Sequence, residues 1–315
     1  MNNMKLGILV GGFLLMAGSF VHAGNWKGDL KAGAGYWAGD ATYSIGGNAW
    51  TPEDGNVRLP DKVSELTFPL NVVFASLGGS LCWKDRLELH GDVMANLTDP
   101  SAKVKDSDWG VFEDDGQLDV YSESDAQLSA VAADVGARYW FRRLASTNRF
   151  SWSIGAGPGV MVQRLDWTIS NLDQSYPRYP SEGHDYESGE VGTYQAQIVM
   201  PYVDVSAVFK VKRLGARIGL GIGPALVSDE DDHILRKKRS TADMVGVGVK
   251  ASGEVRYDFT RHLFGLARVE ALSVQASGTQ EQEGYGGDLG GFRGEVDEEF
   301  SCTSVNAGLA LGYAF

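Results

Sequence analysis

The sequence predicts an all-β fold: a ten-stranded antiparallel transmembrane β-barrel with long external loops and short periplasmic turns. Three observations lead there. Glycine supplies 41 of 315 residues, accompanied by 13 Phe, 12 Tyr and 8 Trp. One N-terminal stretch aside, no run is apolar enough for a membrane helix, which needs about 20 such residues. Past Gly24, apolar and polar residues alternate with a period of two, the repeat of a strand whose successive side chains point to opposite faces.

The first element is an export segment. A polar start with Lys5 precedes the apolar stretch Leu6 to Phe20, and Val21-His22-Ala23 offers a cleavage site. That three-part pattern predicts a signal peptide over 1–23 and a barrel over 24–315. The lost segment contains Lys5 and no acid, so the mature chain is one charge more negative than the formal −13 of the whole. Such acidity argues against nucleic acid as a partner, because DNA or RNA needs a basic face.

The strands follow. At the C-terminus Val305, Ala307, Leu309, Leu311, Tyr313 and Phe315 share one parity, and small or polar residues take the other. The same split recurs around Val203 to Phe209 and Val245 to Phe259. A soluble sandwich would also alternate. Charges set between apolar residues favour a barrel, because Asp134 with Arg138, and Arg268 with Glu270, can pair inside a lumen. Connections alternate in length. Short ones are expected at Lys84 to Arg86, Arg142 to Asn148, Val211 to Leu214 and Thr260 to His262, beside Trp83, Tyr139, Trp152, Phe209 and Tyr257, as an interfacial aromatic girdle requires. Long ones are expected at Ser44 to Asp61, Thr98 to Ser124, Ser170 to Gly192, Asp231 to Ser240 and Gly278 to Phe300. Five loops and four turns join ten strands, an even number with both ends on the periplasmic side. Cys82 and Cys302 fall at opposite ends of the barrel, too far apart for a disulfide.

Candidate chemistry lies at the mouth. On the seventh strand, even positions from Ile218 to Leu226 face lipid, so the odd parity carries Asp229, Asp231 and His233 to the inner rim. Asp231 can orient the imidazole and make it a better base. On the third strand the odd residues from Leu87 to Leu97 face lipid. If the chain stays extended past Pro100, Asp106 and Asp108 face inward across the cleft. Two close carboxylates share a proton more easily than both ionise, and an Asp pair facing an Asp–His pair can hold and activate a water. No His-x-x-x-His cluster or serine nucleophile with a partner base is evident, so neither a metal nor another cofactor is expected.

Lys105-Asp106-Ser107-Asp108-Trp109 together with Asp229-Glu230-Asp231-Asp232-His233 resembles the omptins, ten-stranded outer-membrane endopeptidases of the bacterial surface. Met200-Pro201-Tyr202 resembles a further segment of that family. The resemblance implies catalytic roles for Asp106, Asp108, Asp231 and His233, a substrate-binding role for Asp229 and a lipid-binding role for Arg164, with the site facing the exterior. Two family features are missing. The second pocket acid, implied near Thr42 and Tyr43, has no counterpart there, and Gln197 and Val199 stand where lipopolysaccharide-binding basic residues would be. Both basic-site specificity and a lipopolysaccharide requirement therefore stay open.

Partners follow from charge and location: outer-membrane lipid, and cationic peptide or protein substrates. Thr98 to Asp125 holds nine acids against two Lys, a mouth that attracts cations over about 8–10 Å at physiological salt. The basic run Arg236 to Arg239 follows His233 in an expected external loop, where it either pairs with lipid phosphates or offers a site for nicking by a neighbouring molecule. The other reading is a non-enzymatic barrel, a small pore or an adhesin-like shell. Charged inner residues such as Lys250, Glu254 and Arg256 count against an open pore.

Overall fold

A computed structural model of the chain describes residues 25–112, 116–147 and 150–315; the expected export segment lies outside them. Thirteen strands form one antiparallel sheet: β1 (Trp26–Thr51), β2 (Gly55–Arg58), β3 (Ser64–Pro69), β4 (Val72–Trp83), β5 (Leu87–Asn96), β6 (Val104–Trp109), β7 (Leu118–Thr147), β8 (Phe150–Ser175), β9 (His184–Val211), β10 (Leu214–His233), β11 (Lys238–Asp258), β12 (Leu263–Gly284) and β13 (Arg293–Ala314). β1 pairs with β4, β4 with β5, and β5 with β7. From β7 onward each strand pairs with the next, and β13 pairs back with β1. Beyond the breaks after Pro69 and Asn96, β3 continues β4 along β1, and β6 continues β5 along β7. β3 and β6 pair with each other, so two wall positions are each filled by an interrupted strand.

Hairpin chemistry fixes one end. Lys84 and Asp85 both have positive φ, and Arg86 N–H bonds Trp83 O at 3.0 Å, a type I′ turn whose twist matches the flanking strands. β9 and β10 are joined by only Lys212 and Arg213. The turn expected at Arg142 to Asn148 is shorter than that, because β7 continues to Thr147.

At the other end the expected long loops are largely strand. β1 runs to Thr51, β9 begins at His184, β12 reaches Gly284 and β13 begins at Arg293. The segment Asp231 to Ser240 shows this most clearly. β10 extends to His233 and β11 begins at Lys238, which pairs with it, leaving a four-residue turn. Backbone pairing persists where both faces are polar, and there the alternation that marks a strand in the sequence vanishes.

Outward residues form the apolar belt that parity demands: Leu309 is 72% exposed and Leu311 70%, with Ile218, Leu220, Ile222, Val245 and Val247 around the wall. Inside, the lumen has two zones. Its lower half is an ion-pair network around a cavity of about 520 Å³. Arg138 holds Glu88 at 3.1 Å and Asp204 at 2.8 Å, Arg217 also holds Glu88, and Lys250 bridges Asp134 and Glu270. Arg138 thus pairs with Glu88 and Asp204 instead of Asp134, whereas Arg268 does pair with Glu270, at 2.7 Å. Above this network an apolar layer crosses the lumen, made by Trp37, Leu70, Leu165, Ile198, Met200 and Val274. Gly248 makes room for it, since a Cβ there would meet Met200 Sδ at 2.5 Å.

Candidate active site

Above the apolar layer lies an aromatic floor. Phe68 of β3 stacks on Tyr194 of β9 with centroids 4.1 Å apart, and Trp167 of β8 and Tyr43 of β1 flank the pair. Trp167 Nε1 donates to Pro69 O at 3.0 Å, tying the floor to the end of β3. Both tyrosines direct their hydroxyls at carboxylates of β10: Tyr43 donates to Asp231, and Tyr194 donates to Asp229 Oδ2 at 2.8 Å. Burial and these anionic partners raise both phenols well above their usual range and keep them neutral donors.

β10 places its residues by parity. Asp229 and Asp231 are buried on the inner face, and His233, the last residue of the strand, lies two positions further out. His233 Nε2 is 2.9 Å from Asp231 Oδ2. Burial acts to raise the Asp231 carboxyl. The His233 charge, hydrogen bonds from His233 and Tyr43, and nearby Lys238 outweigh that, holding it below the usual carboxylate range.

β6 supplies the other wall. Asp106 pairs in register with Leu66 of β3 and Ser122 of β7, and Asp108 with Ser64 and Val120. Even parity survives the break between Asn96 and Val104, so both carboxylates point inward. Burial, with Asp108 beside it, pushes Asp106 up to about 7, against the opposing pull of His233 and Arg236. Asp106 Oδ1 is buried and accepts no hydrogen bond. The two walls meet: Arg236, on the turn after His233, reaches Asp108 Oδ2 at 3.5 Å.

The structure therefore brings Asp106, Asp108, Asp231 and His233 into one cleft, with Asp229 deeper on the same strand. Arg164 is elsewhere, on the outer face of β8, held by Asp166 at 3.0 Å and by Gln195 at 2.7 Å.

A family model for the omptins matches residues 50–270, more than half of the chain. The chain belongs to the omptin family. All five cleft residues and Arg164 fall within the omptin match. The structure is similar to the outer membrane protease OmpT from Escherichia coli, with a TM-score of 0.70 at 16% identity, covering 92% of this chain and 97% of that one. Weaker likenesses are the translocator domain of the autotransporter NalP from Neisseria meningitidis, with a TM-score of 0.36 at 7% identity over 100% and 98% of the two chains, and the outer membrane protein OprG from Pseudomonas aeruginosa, at 0.30 and 12% over 91% and 96%. No curated protein matches.

Sequence reasoning missed several residues of this omptin cleft. Tyr43 and Tyr194 stand on inner faces and hold the β10 acids. Lys238, taken with its neighbours for a solvated basic run, begins β11 opposite His233 and faces Asp231, Asp106 and Asp108. Glu298 of β13 is 1% exposed and lies against Asp229. Its parity was available, since Phe300 and Cys302 are also inward, but it falls in a stretch that reads as loop.

Proposed function

We propose that this omptin is an endopeptidase of the bacterial outer membrane, a ten-stranded barrel exported by its 1–23 signal peptide, with the cleft facing the exterior. Ten follows from taking β3 with β4, and β5 with β6, as single interrupted strands and β2 as a hairpin flap. The supporting observation is the cleft itself, with an Asp pair on β6 facing an Asp–His pair on β10 above a lumen closed by apolar side chains. That closure disfavours the pore reading.

The chemistry follows from the contacts. With Nε2 engaged by Asp231, the Nδ1 of His233 is the nitrogen available to take a proton. A water between the two walls loses a proton to His233 as its oxygen attacks the peptide carbonyl. Asp106, held partly in its acid form near neutrality, donates a hydrogen bond to the developing oxyanion, and Asp108 orients the water. When the tetrahedral intermediate collapses, the imidazolium returns its proton to the leaving amine. No covalent enzyme intermediate forms, and in this reading the step needs neither metal nor other cofactor. Cationic peptides are the preferred substrates, and Arg164 contacts lipid phosphate where that can displace Asp166. Whether lipopolysaccharide is required is read from the same assay run with and without it.

The test is cleavage of a mixed peptide library by refolded protein. Activity in the wild type that falls at least a thousandfold in His233→Ala and in Asp106→Ala supports the reading. Activity equal in all three, or abolished by a chelator and restored by zinc, overturns it.

A further inference from the structure

Across the sheet, His233 has a side chain on one flank only. Its register partner on β9 is Gly192, and on β11 it is Lys238. Directly opposed residues of antiparallel strands hold their Cβ atoms about 5 Å apart on one face, so the lysine stem runs beside the imidazole. Parity places it inside. Ser240, Ala242 and Met244, the next even positions of β11, are buried in the lumen, and Lys238 at their outer end is half-buried. On its other flank β12 opposes it with Gly284. The charged groups facing its ammonium are Asp231 of β10, Arg236 of the turn, and Asp106 and Asp108 of β6.

This cation is uncommitted. Arg236 engages Asp108 at 3.5 Å, and Arg239, on the outer parity, engages Glu230 at 3.2 Å and Asp232 at 3.4 Å. Among the described residues the Lys238 ammonium forms neither an ion pair nor a hydrogen bond. Burial, with Arg236 nearby, pulls it below the usual lysine range, against Asp231, Asp108 and Asp106, which favour its charge. A half-buried ammonium between two acidic walls, bonded to neither, costs stability. What it lacks is an anion in the space between them.

Peptide hydrolysis makes an anion there. Attack of water puts a negative charge on the carbonyl oxygen inside a cleft already lined by Asp106, Asp108 and Asp231, and carboxylates oppose it. We propose that Lys238 is a catalytic residue whose ammonium binds the oxyanion of the tetrahedral intermediate. This rests on the peptidase reading and adds a group to its machinery. As the water oxygen bonds the carbonyl carbon, the carbonyl π pair moves to oxygen and the water proton passes to Nδ1 of His233. An N–H of Lys238 donates to the new oxyanion and keeps its proton. On collapse that electron pair re-forms the carbonyl, the C–N bond breaks, and the imidazolium proton goes to the amine nitrogen. Lys238 ends the turnover unchanged. Asp106 supplies a neutral donor and Lys238 supplies charge, so neither substitutes for the other.

Two uncleavable versions of a peptide that the wild type cleaves separate this role from folding and from substrate binding. One carries a phosphinate at the scissile position, an anionic tetrahedral group, and the other a neutral hydroxyethylene. Both are titrated calorimetrically into wild type, Lys238→Met and Lys238→Arg in detergent. In Lys238→Met, phosphinate affinity and kcat are expected to fall together by about a hundredfold. Hydroxyethylene affinity and KM are expected to stay within about threefold, which also shows that the variant is folded. Lys238→Arg, which keeps the charge, is expected to lose less than Lys238→Met in both phosphinate affinity and kcat. Equal weakening of the two peptides in Lys238→Met, no weakening of either, or a wild type that binds the phosphinate no better than the hydroxyethylene overturns the proposal. The peptidase reading fails separately, if the wild type cleaves no peptide.

Discussion

The hydroxyl of Tyr43 on β1 donates a hydrogen bond to the Asp231 carboxylate on β10, joining the start of the wall to the strand that carries His233. Asp231 is 3% exposed and anionic, and Tyr43 is one of the two donors that stabilise it there. Tyr43→Phe keeps the aromatic packing on Phe68 and Tyr194 and removes only the hydroxyl. A buried carboxylate that loses a donor costs about 1–3 kcal/mol. We expect unfolding at lower denaturant by that amount and kcat lower by about tenfold, with KM little changed. An unaltered kcat would show that Tyr43 does not position the dyad.

The pH profile reports on Asp106. Its acid form is present below about 7 and lost above it, because burial and Asp108 raise the carboxyl. If that form serves the oxyanion, the rate declines with one-proton slope as pH rises through 7. Asp106→Asn, a fixed donor, is expected to be slower at its best pH and to lack that alkaline limb. A wild-type rate that climbs through pH 7 would assign Asp106 to the ionised role.

Glu298 makes stability fall with pH. A carboxyl raised from 4.5 to about 10 on folding binds its proton more tightly in the native state. Its favourable contribution is complete below 4.5 and is lost progressively as pH rises toward 10. Glu298→Gln removes its own share of that dependence, so the variant gains on the wild type as pH rises from 5 to 9. Thermal unfolding in detergent across that range would expose an error as parallel curves.

The apolar layer predicts electrical silence. Planar bilayers holding the wild type are expected to show no steady conductance. The double variant Trp37→Ala with Met200→Ala, which takes the largest side chain and a long flexible one from the layer, is expected to leak. Open channels in the wild type would return the pore reading to contention.

Nicking at Arg236 to Arg239 is expected to be slow. Lys238 and Arg239 are bonded into β11 between β10 and β12, so only Arg236 and Lys237 lie in the turn, and cleavage by another molecule requires the hairpin end to open. Electrophoresis of concentrated active protein should show the fragment accumulating over days in proportion to concentration, and none in Asp106→Ala. Rapid complete nicking would mean that the end is open most of the time.

The lower barrel was legible because its outer face is apolar and its inner face is not. Leu309 and Ile218 announce the parity, and counting along it placed Asp231 and His233 correctly on the inner rim. Asp106 and Asp108 came out right for a weaker reason: the break beyond Leu97 preserves even parity, which the residues at the break do not signal. What stayed hidden lies where both faces are polar. Glu298, Lys238 and the start of β9 are strand, but an acid opposite a glutamine produces no hydropathy contrast. Contacts such as Tyr43 with Asp231 depend on curvature across the whole wall, and one strand's sequence carries no record of it.

Because Asp229, Asp231 and His233 share one face with the residues below them, the wall can change length only in even steps. One residue inserted after Leu226 would turn all three outward and swing Glu230 and Asp232 into the cleft in their place. Two inserted residues restore the facing and lift the site by about 7 Å. Height above the bilayer is in this sense a quantised trait: lineages that raise or lower such a cleft do so by whole rungs, and on neighbouring strands together.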